Sequence, residues 1–156
     1  MEPGLPSVTG DSPEFTAANA AAAPLLEAGD IEGAHSALFE IIVPGFRARC
    51  DETLPPGWFE RWLAASERVL FPSDLPELNG WQFTAEDAAQ ITVPVLNGVG
   101  ANTASVFSDV HETVQSWIPH AQSATVAGAT HCMLQEKPRA SAEILADFFA
   151  RHPIPR

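Results

Sequence analysis

Apolar residues recur at helical spacing through the first half of the chain. From Ile31, the positions Ala34, Leu38, Ile41 and Ile42 fall on one face, and Pro44-Gly45 stops the run. Asp30 stands where an N-cap belongs, and His35 falls off the apolar face, which predicts a solvated histidine. Ahead of this element, Phe15 to Ala28 is rich in alanine and predicts a helix, interrupted or re-entered at Pro24. Behind it, Arg47 to Thr53 carries mixed charges and no clear pattern. Pro55-Pro56 then introduces a third helix, whose wide apolar stripe comprises Trp58, Phe59, Trp62, Leu63, Val69 and Leu70. Such a stripe reads as core. Phe71 to Trp81 holds prolines and a glycine and predicts a connector. Thr84 with Asp87 resembles a capping box with Asp in place of Glu, opening a short helix through Ala89.

The second half changes period. Val93 to Leu96 is short, apolar and β-branched, as in a buried parallel strand; Pro94 keeps it brief, and Gly98 and Gly100 allow a tight turn after it. A helix from about Ser105 to Ile118 places Val106, Phe107, Val110, Val114, Trp117 and Ile118 on one side, and Pro119 ends it. Thr125 and Val126 sit in a second strand, so strand, helix and strand predict a right-handed βαβ unit. A last helix follows Pro138, with Ile144, Leu145, Phe148 and Phe149 on its buried side and Pro153 closing it. The fold class is therefore α/β, mainly helical with two short parallel strands. It divides into residues 1–90, a connector and helices, and residues 91–156, a β-α-β-α part.

Composition narrows the function. A chain of 156 residues fits one domain by size, and 46% hydrophobic residues are enough for a packed core. The formal charge of −12 and the lack of any Lys/Arg run argue against nucleic acid as a partner. Cys50 and Cys132 match neither a zinc pattern nor a disulfide framework, which fits a cytoplasmic protein, and no cofactor is expected. There is no signal-peptide pattern and no apolar window long enough for a membrane span, so no membrane partner is expected either.

Candidate chemistry centres on the stretch from Gln122 to Pro138, a β-prone run, a glycine turn and then His131. A histidine at the C-terminal end of a parallel strand projects toward the crevice where α/β sheets bind ligands, and imidazole suits proton transfer near neutral pH. Taken alone, it reads first as a surface or hydrogen-bonded loop histidine.

Several segments together resemble the C-terminal portion of the α/β-hydrolase superfamily. Ile-Thr-Val-Pro-Val-Leu-Asn-Gly-Val-Gly (91–100) is similar to the seventh strand and its turn. Gly-Ala-Thr-His (128–131) with Leu-Gln-Glu-Lys-Pro (134–138) is similar to the catalytic-histidine loop, and residues 142–153 to the last helix. The earlier half resembles the family's helical cap. The resemblance implies a partial α/β-hydrolase fold with His131 as catalytic base and a small-molecule substrate, ester-like or otherwise non-peptide. Caps in this family overlie the active site, so the resemblance also makes Trp58 and Trp62 candidates for lining a substrate pocket.

The resemblance places the family's commonest acid position after the strand at 93–96, where this chain has Gly100-Ala101-Asn102, and a neutral Asn does not stabilise an imidazolium as a carboxylate does. Glu2, in Met-Glu-Pro-Gly, matches the alternative acid position after the sixth strand. Asp109 reads as a solvated helix residue. Cys132 adjoins His131, but sequence neighbours point in different directions.

No Gly-x-Ser-x-Gly or Gly-x-Asp-x-Gly nucleophile elbow and no oxyanion-hole loop is present in the sequence. The first expectation is thus the C-terminal part of a hydrolase, inactive alone. An alternative is a non-catalytic derivative that binds a partner protein or an apolar small molecule through its cap helices. A third reading treats the resemblance as superficial and the chain as a helical interaction protein. Two parallel strands also leave open edges and give their helices little to cover. Self-association, or a complementary N-terminal hydrolase segment, is expected to cover the remainder.

Overall fold

The computed structural model describes residues 12–153, and the chain forms two compact units that divide between Gln82 and Phe83. It is mostly helical, with two short parallel strands in one sheet. Glu2 lies outside the described residues.

The first unit is helical. Helix α1 (Pro13–Glu27) opens with Pro13 in its first turn and Ser12 as cap, the Ser12 hydroxyl accepting from the Phe15 N–H. It runs through Pro24 without a break. That proline forfeits one donor and ends within a turn of the C-terminus, where its own carbonyl accepts from the Ala28 N–H. Gly29, at φ 76°, completes a Schellman close: its N–H donates to Leu26 O, and the Asp30 N–H donates to Leu25 O. Asp30 then caps α2 (Ile31–Ile42), its carboxylate accepting from the Gly33 N–H at 2.9 Å.

On α2 the buried arc is Ala34, His35, Leu38 and Ile42, while Ile41 is exposed. The burial is rotated by part of a turn from the expected face, because aromatic residues from a later helix pack on the His35 side. His35 is therefore not solvated: it is 1% exposed. The patternless Arg47 to Thr53 stretch belongs to α3 (Phe46–Thr53), which buries Phe46 and Cys50.

Helix α4 (Trp58–Ala65) continues into a π-helical stretch, Ser66–Asp74, and then α5 (Leu75–Gly80). The predicted connector is thus helical over most of its length. Pro72 lacks an N–H and would clash with a carbonyl one turn back, and the wider turn accommodates it; Pro76 sits harmlessly in the first turn of α5. Of the predicted stripe, Phe59 is buried, whereas Val69, out on the wide turn, is about half exposed. The Trp62 ring meets those of His35, Phe39, Phe46 and Phe59, so this part of the stripe is core.

The second unit starts with α6 (Ala85–Ala88), whose capping box is complete. The Thr84 hydroxyl accepts from the Asp87 N–H, and the Asp87 carboxylate accepts from the Thr84 N–H and hydroxyl. Those hydrogen bonds hold Asp87 below the usual carboxylate range.

Strand β1 is Leu96–Gly100, α7 is Ser105–Trp117 and β2 is Gln122–Val126, paired in parallel from Leu96 opposite Gln122 to Gly100 opposite Val126. The strand starts later than the predicted Val93 to Leu96, because Pro94 cannot donate to a ladder and Val93 is largely exposed. Gly98 and Gly100 lie inside it rather than in the turn.

Alternation gives the sheet two faces. Asn97 belongs to the face toward α7, donating to the His111 carbonyl and the Gln115 side chain, and on the same face His111 meets Ser123 at 3.0 Å. The opposite face, with Gly98, Ala124 and Val126, is met by α8 (Met133–Glu136) and α9 (Pro138–Arg151). On α9, Phe148 is buried, but Leu145 and Phe149, expected inside, are 38% and 53% exposed. A sheet of two strands is too narrow to cover the whole apolar arc of that helix. No described helix is long and apolar enough to cross a membrane.

Candidate functional site at the C-terminal ends of the strands

Because the strands are parallel, the loops following both leave the sheet at the same end. The loop after β2 opens with Gly128 at φ 68°, and the Ala129 N–H closes back onto the Val126 carbonyl at 3.3 Å; a side chain at that backbone position would be strained. The loop after β1 is tied to it, with the Ala101 N–H donating to Val126 O (3.0 Å) and the Asn102 N–H to Ala129 O (2.8 Å). Gly100 is needed for this approach. A Cβ there would fall within 2.6 Å of the Ala129 carbonyl oxygen and press on that of Thr130.

His131 lies on this loop, past the C-terminal end of β2, and is half-buried. Its ring stacks on Phe107, in the first turn of α7, with centroids 3.7 Å apart and planes 13° apart. Phe107 is itself 1% exposed, so a fixed surface sets the plane in which both ring nitrogens lie.

Thr130 is buried beside it. Its N–H donates to Glu136 Oε2 at 2.6 Å and its hydroxyl to Glu136 Oε1 at 2.8 Å, and Glu136 is also buried. Helix α8 thereby grips the residue before His131 through both carboxylate oxygens. Sequence reasoning missed this clamp. The available signal was one carboxylate directly after the uncharged Met133 to Gln135 run, on an element too short to show a period.

Other sequence candidates fall as follows. Asp109 is exposed on α7, its carbonyl accepting from the Thr113 hydroxyl, as expected of a solvated helix residue. Asn102 sits exposed on the neighbouring loop. Cys132 is buried where α8 begins, and Cys50 is buried in the first unit. No group of His, Cys, Asp and Glu that could hold a metal ion occurs among the described residues. Glu2, the carboxylate matched to His131 by resemblance, is outside them.

No protein-family model, curated protein or solved structure matches this chain. The functional reading therefore rests on the site itself: an imidazole of fixed plane at the end of a parallel strand pair, on a loop held from both sides.

Removing the clamp should be costly. Glu136→Ala leaves the buried Thr130 N–H and hydroxyl without this acceptor, and is expected to destabilise the second unit by about 2 to 3 kcal/mol. Urea unfolding followed by NMR through the indole N–H of Trp117 measures the loss in the second unit. Glu136→Gln, which keeps one carbonyl acceptor, should recover part of it.

Proposed function

We propose that the chain is the C-terminal part of an α/β-fold hydrolase for a small ester-like or other non-peptide substrate, with His131 as its general base. The observation that carries this reading is the placement of His131 on the loop at the C-terminal end of β2, half-buried and stacked on Phe107. In such chemistry the histidine takes the proton of a hydroxyl nucleophile as it attacks, or of the water that later releases the product. A carboxylate fixes its tautomer and balances its charge. Glu2 is the residue proposed for that carboxylate on the strength of the sequence resemblance.

The nucleophile and oxyanion donors are proposed to come from a separate or preceding N-terminal hydrolase segment, since the sequence holds no Gly-x-Ser-x-Gly or Gly-x-Asp-x-Gly. Two features favour such a partner. Among the described residues the sheet has two strands, so each has one edge with no strand beside it, and Leu145 and Phe149 remain exposed on α9. The missing elbow also favours a second reading, a non-catalytic derivative that binds a partner protein or an apolar small molecule through its cap helices.

The purified chain alone is expected to hydrolyse an activated ester no faster than its His131→Ala variant, because triad members act as a unit. Analytical ultracentrifugation of the same sample should show self-association. Turnover that the His131→Ala variant loses would move the nucleophile into this chain. A monodisperse, cooperatively unfolding monomer would leave the partner without a reason.

A further inference from the structure

The sheet face opposite α7 is not filled by its own side chains. Gly98 and Ala124 are paired directly across the two strands, so the middle of that face carries no side chain on one strand and a methyl group on the other. Leu96 and Val126 stand to either side. Met133 and Leu134 of α8 and Ser141, Ile144 and Leu145 of α9 close over the gap, leaving a cavity of about 170 Å³. Its walls are apolar except for Ser141, and the Ser141 hydroxyl is spent on the Met133 carbonyl at 3.1 Å. Water needs two or more polar partners to be held in such a space, and among the lining side chains only the Ser141 hydroxyl oxygen offers one. Leu145 both lines the cavity and is 38% exposed, so the cavity reaches the surface at that residue.

We propose that this cavity is a binding site for a small neutral apolar molecule, a monocyclic aromatic or short alkyl compound of roughly six to eight non-hydrogen atoms, since apolar cavities of about 150 Å³ stay dry and take benzene. His131 is not among its walls, and the site is independent of the proposed hydrolysis. Occupancy restores the dispersion contacts that Gly98 and Ala124 do not make, and it stabilises the unit by mass action.

The test is a methyl NMR titration of the full chain with benzene, and separately with naphthalene. Saturable one-to-one shifts at Leu96, Val126, Leu134 and Ile144 are expected, with naphthalene at least tenfold weaker. Ala124→Leu fills the cavity from the sheet and Ile144→Phe fills it from α9. Each should weaken benzene at least tenfold while the methyls of Val106, Val110 and Val114, facing the other way, keep their dispersion. If one variant fails to fold, the other decides. Shifts that never saturate overturn the proposal, as does binding that survives the filling substitutions. Self-association away from the cavity leaves these methyls unmoved; shifts of Leu96, Val126, Leu134 and Ile144 that follow protein concentration without benzene place a second copy over the cavity, and overturn the proposal too.

Discussion

At pH 4 the helical unit is expected to be about 3 kcal/mol less stable than at pH 7 through His35 alone. Burial pushes this imidazole down from 6.5 to about 4. Its surroundings explain why: Phe39 stacks on it at 4.5 Å, Trp62 meets it edge-on at 4.2 Å, and Phe59 and Phe71 stand further out. Its Nε2 is buried without a hydrogen-bond partner. Two charged groups line the small hollow beside it. The Glu40 carboxylate accepts from the Gly45 N–H, and the Arg47 guanidinium pairs with Glu32 and Glu60.

The direction follows from which state binds more protons. Between pH 6.5 and 4 the unfolded chain holds the His35 proton and the folded chain does not, so protonation favours unfolding. The contribution is complete above about pH 6.5, is lost as pH falls through the folded value near 4, and changes no further below it. At ~1.4 kcal/mol for each pH unit the total is about 3 kcal/mol. His35→Leu should remove this acid dependence and, by deleting a buried polar atom without a partner, add on the order of 1 kcal/mol at pH 7. Urea unfolding of both proteins at pH 7 and pH 4 isolates the effect, because the carboxylates and the other histidines are common to both and cancel between them. Equal pH slopes would show that His35 opens to solvent before it titrates.

The second large effect is expected at Phe107. Phe107→Ala removes a fully buried ring from α7 and should cost the second unit about 4 kcal/mol. Phe107→Leu keeps most of the volume and should cost closer to ~1.5 kcal/mol. Both remove the surface on which His131 lies. In the leucine variant the His131 ring-proton resonances should move downfield as the ring current of the stacked phenyl is lost. Unchanged His131 resonances would mean that the imidazole is held by something other than Phe107.

The sequence and the structure agree where one element carries its own signal. Asp30, the Thr84 and Asp87 box, and the apolar side of the helix from Ser105 are all local, and all were legible. Disagreement arises where a distant segment decides. His35 sits beside Ile42 on the helical wheel and faces inward because Phe59 and Trp62 arrive from later in the chain. Gly98 and Gly100 look like turn residues, yet they belong to the strand: the 129–130 backbone crosses close to Gly100, and Gly98 lines the apolar cavity on the face opposite α7. The same holds at the site. His131 is visible from its glycine turn, while Phe107, 24 positions earlier, and the Glu136 clamp emerge only once the loops are in place.

Functional complementation addresses the hydrolase reading most directly. The chain would be co-expressed with an N-terminal α/β-hydrolase segment that carries a Gly-x-Ser-x-Gly elbow, and the purified complex assayed for ester hydrolysis. A stable complex is expected whose kcat/KM falls at least roughly a thousandfold on His131→Ala, with the complex still assembled. A complex whose turnover is indifferent to His131, or a chain that binds no such segment, would contradict the assignment of His131 as the base of a hydrolase.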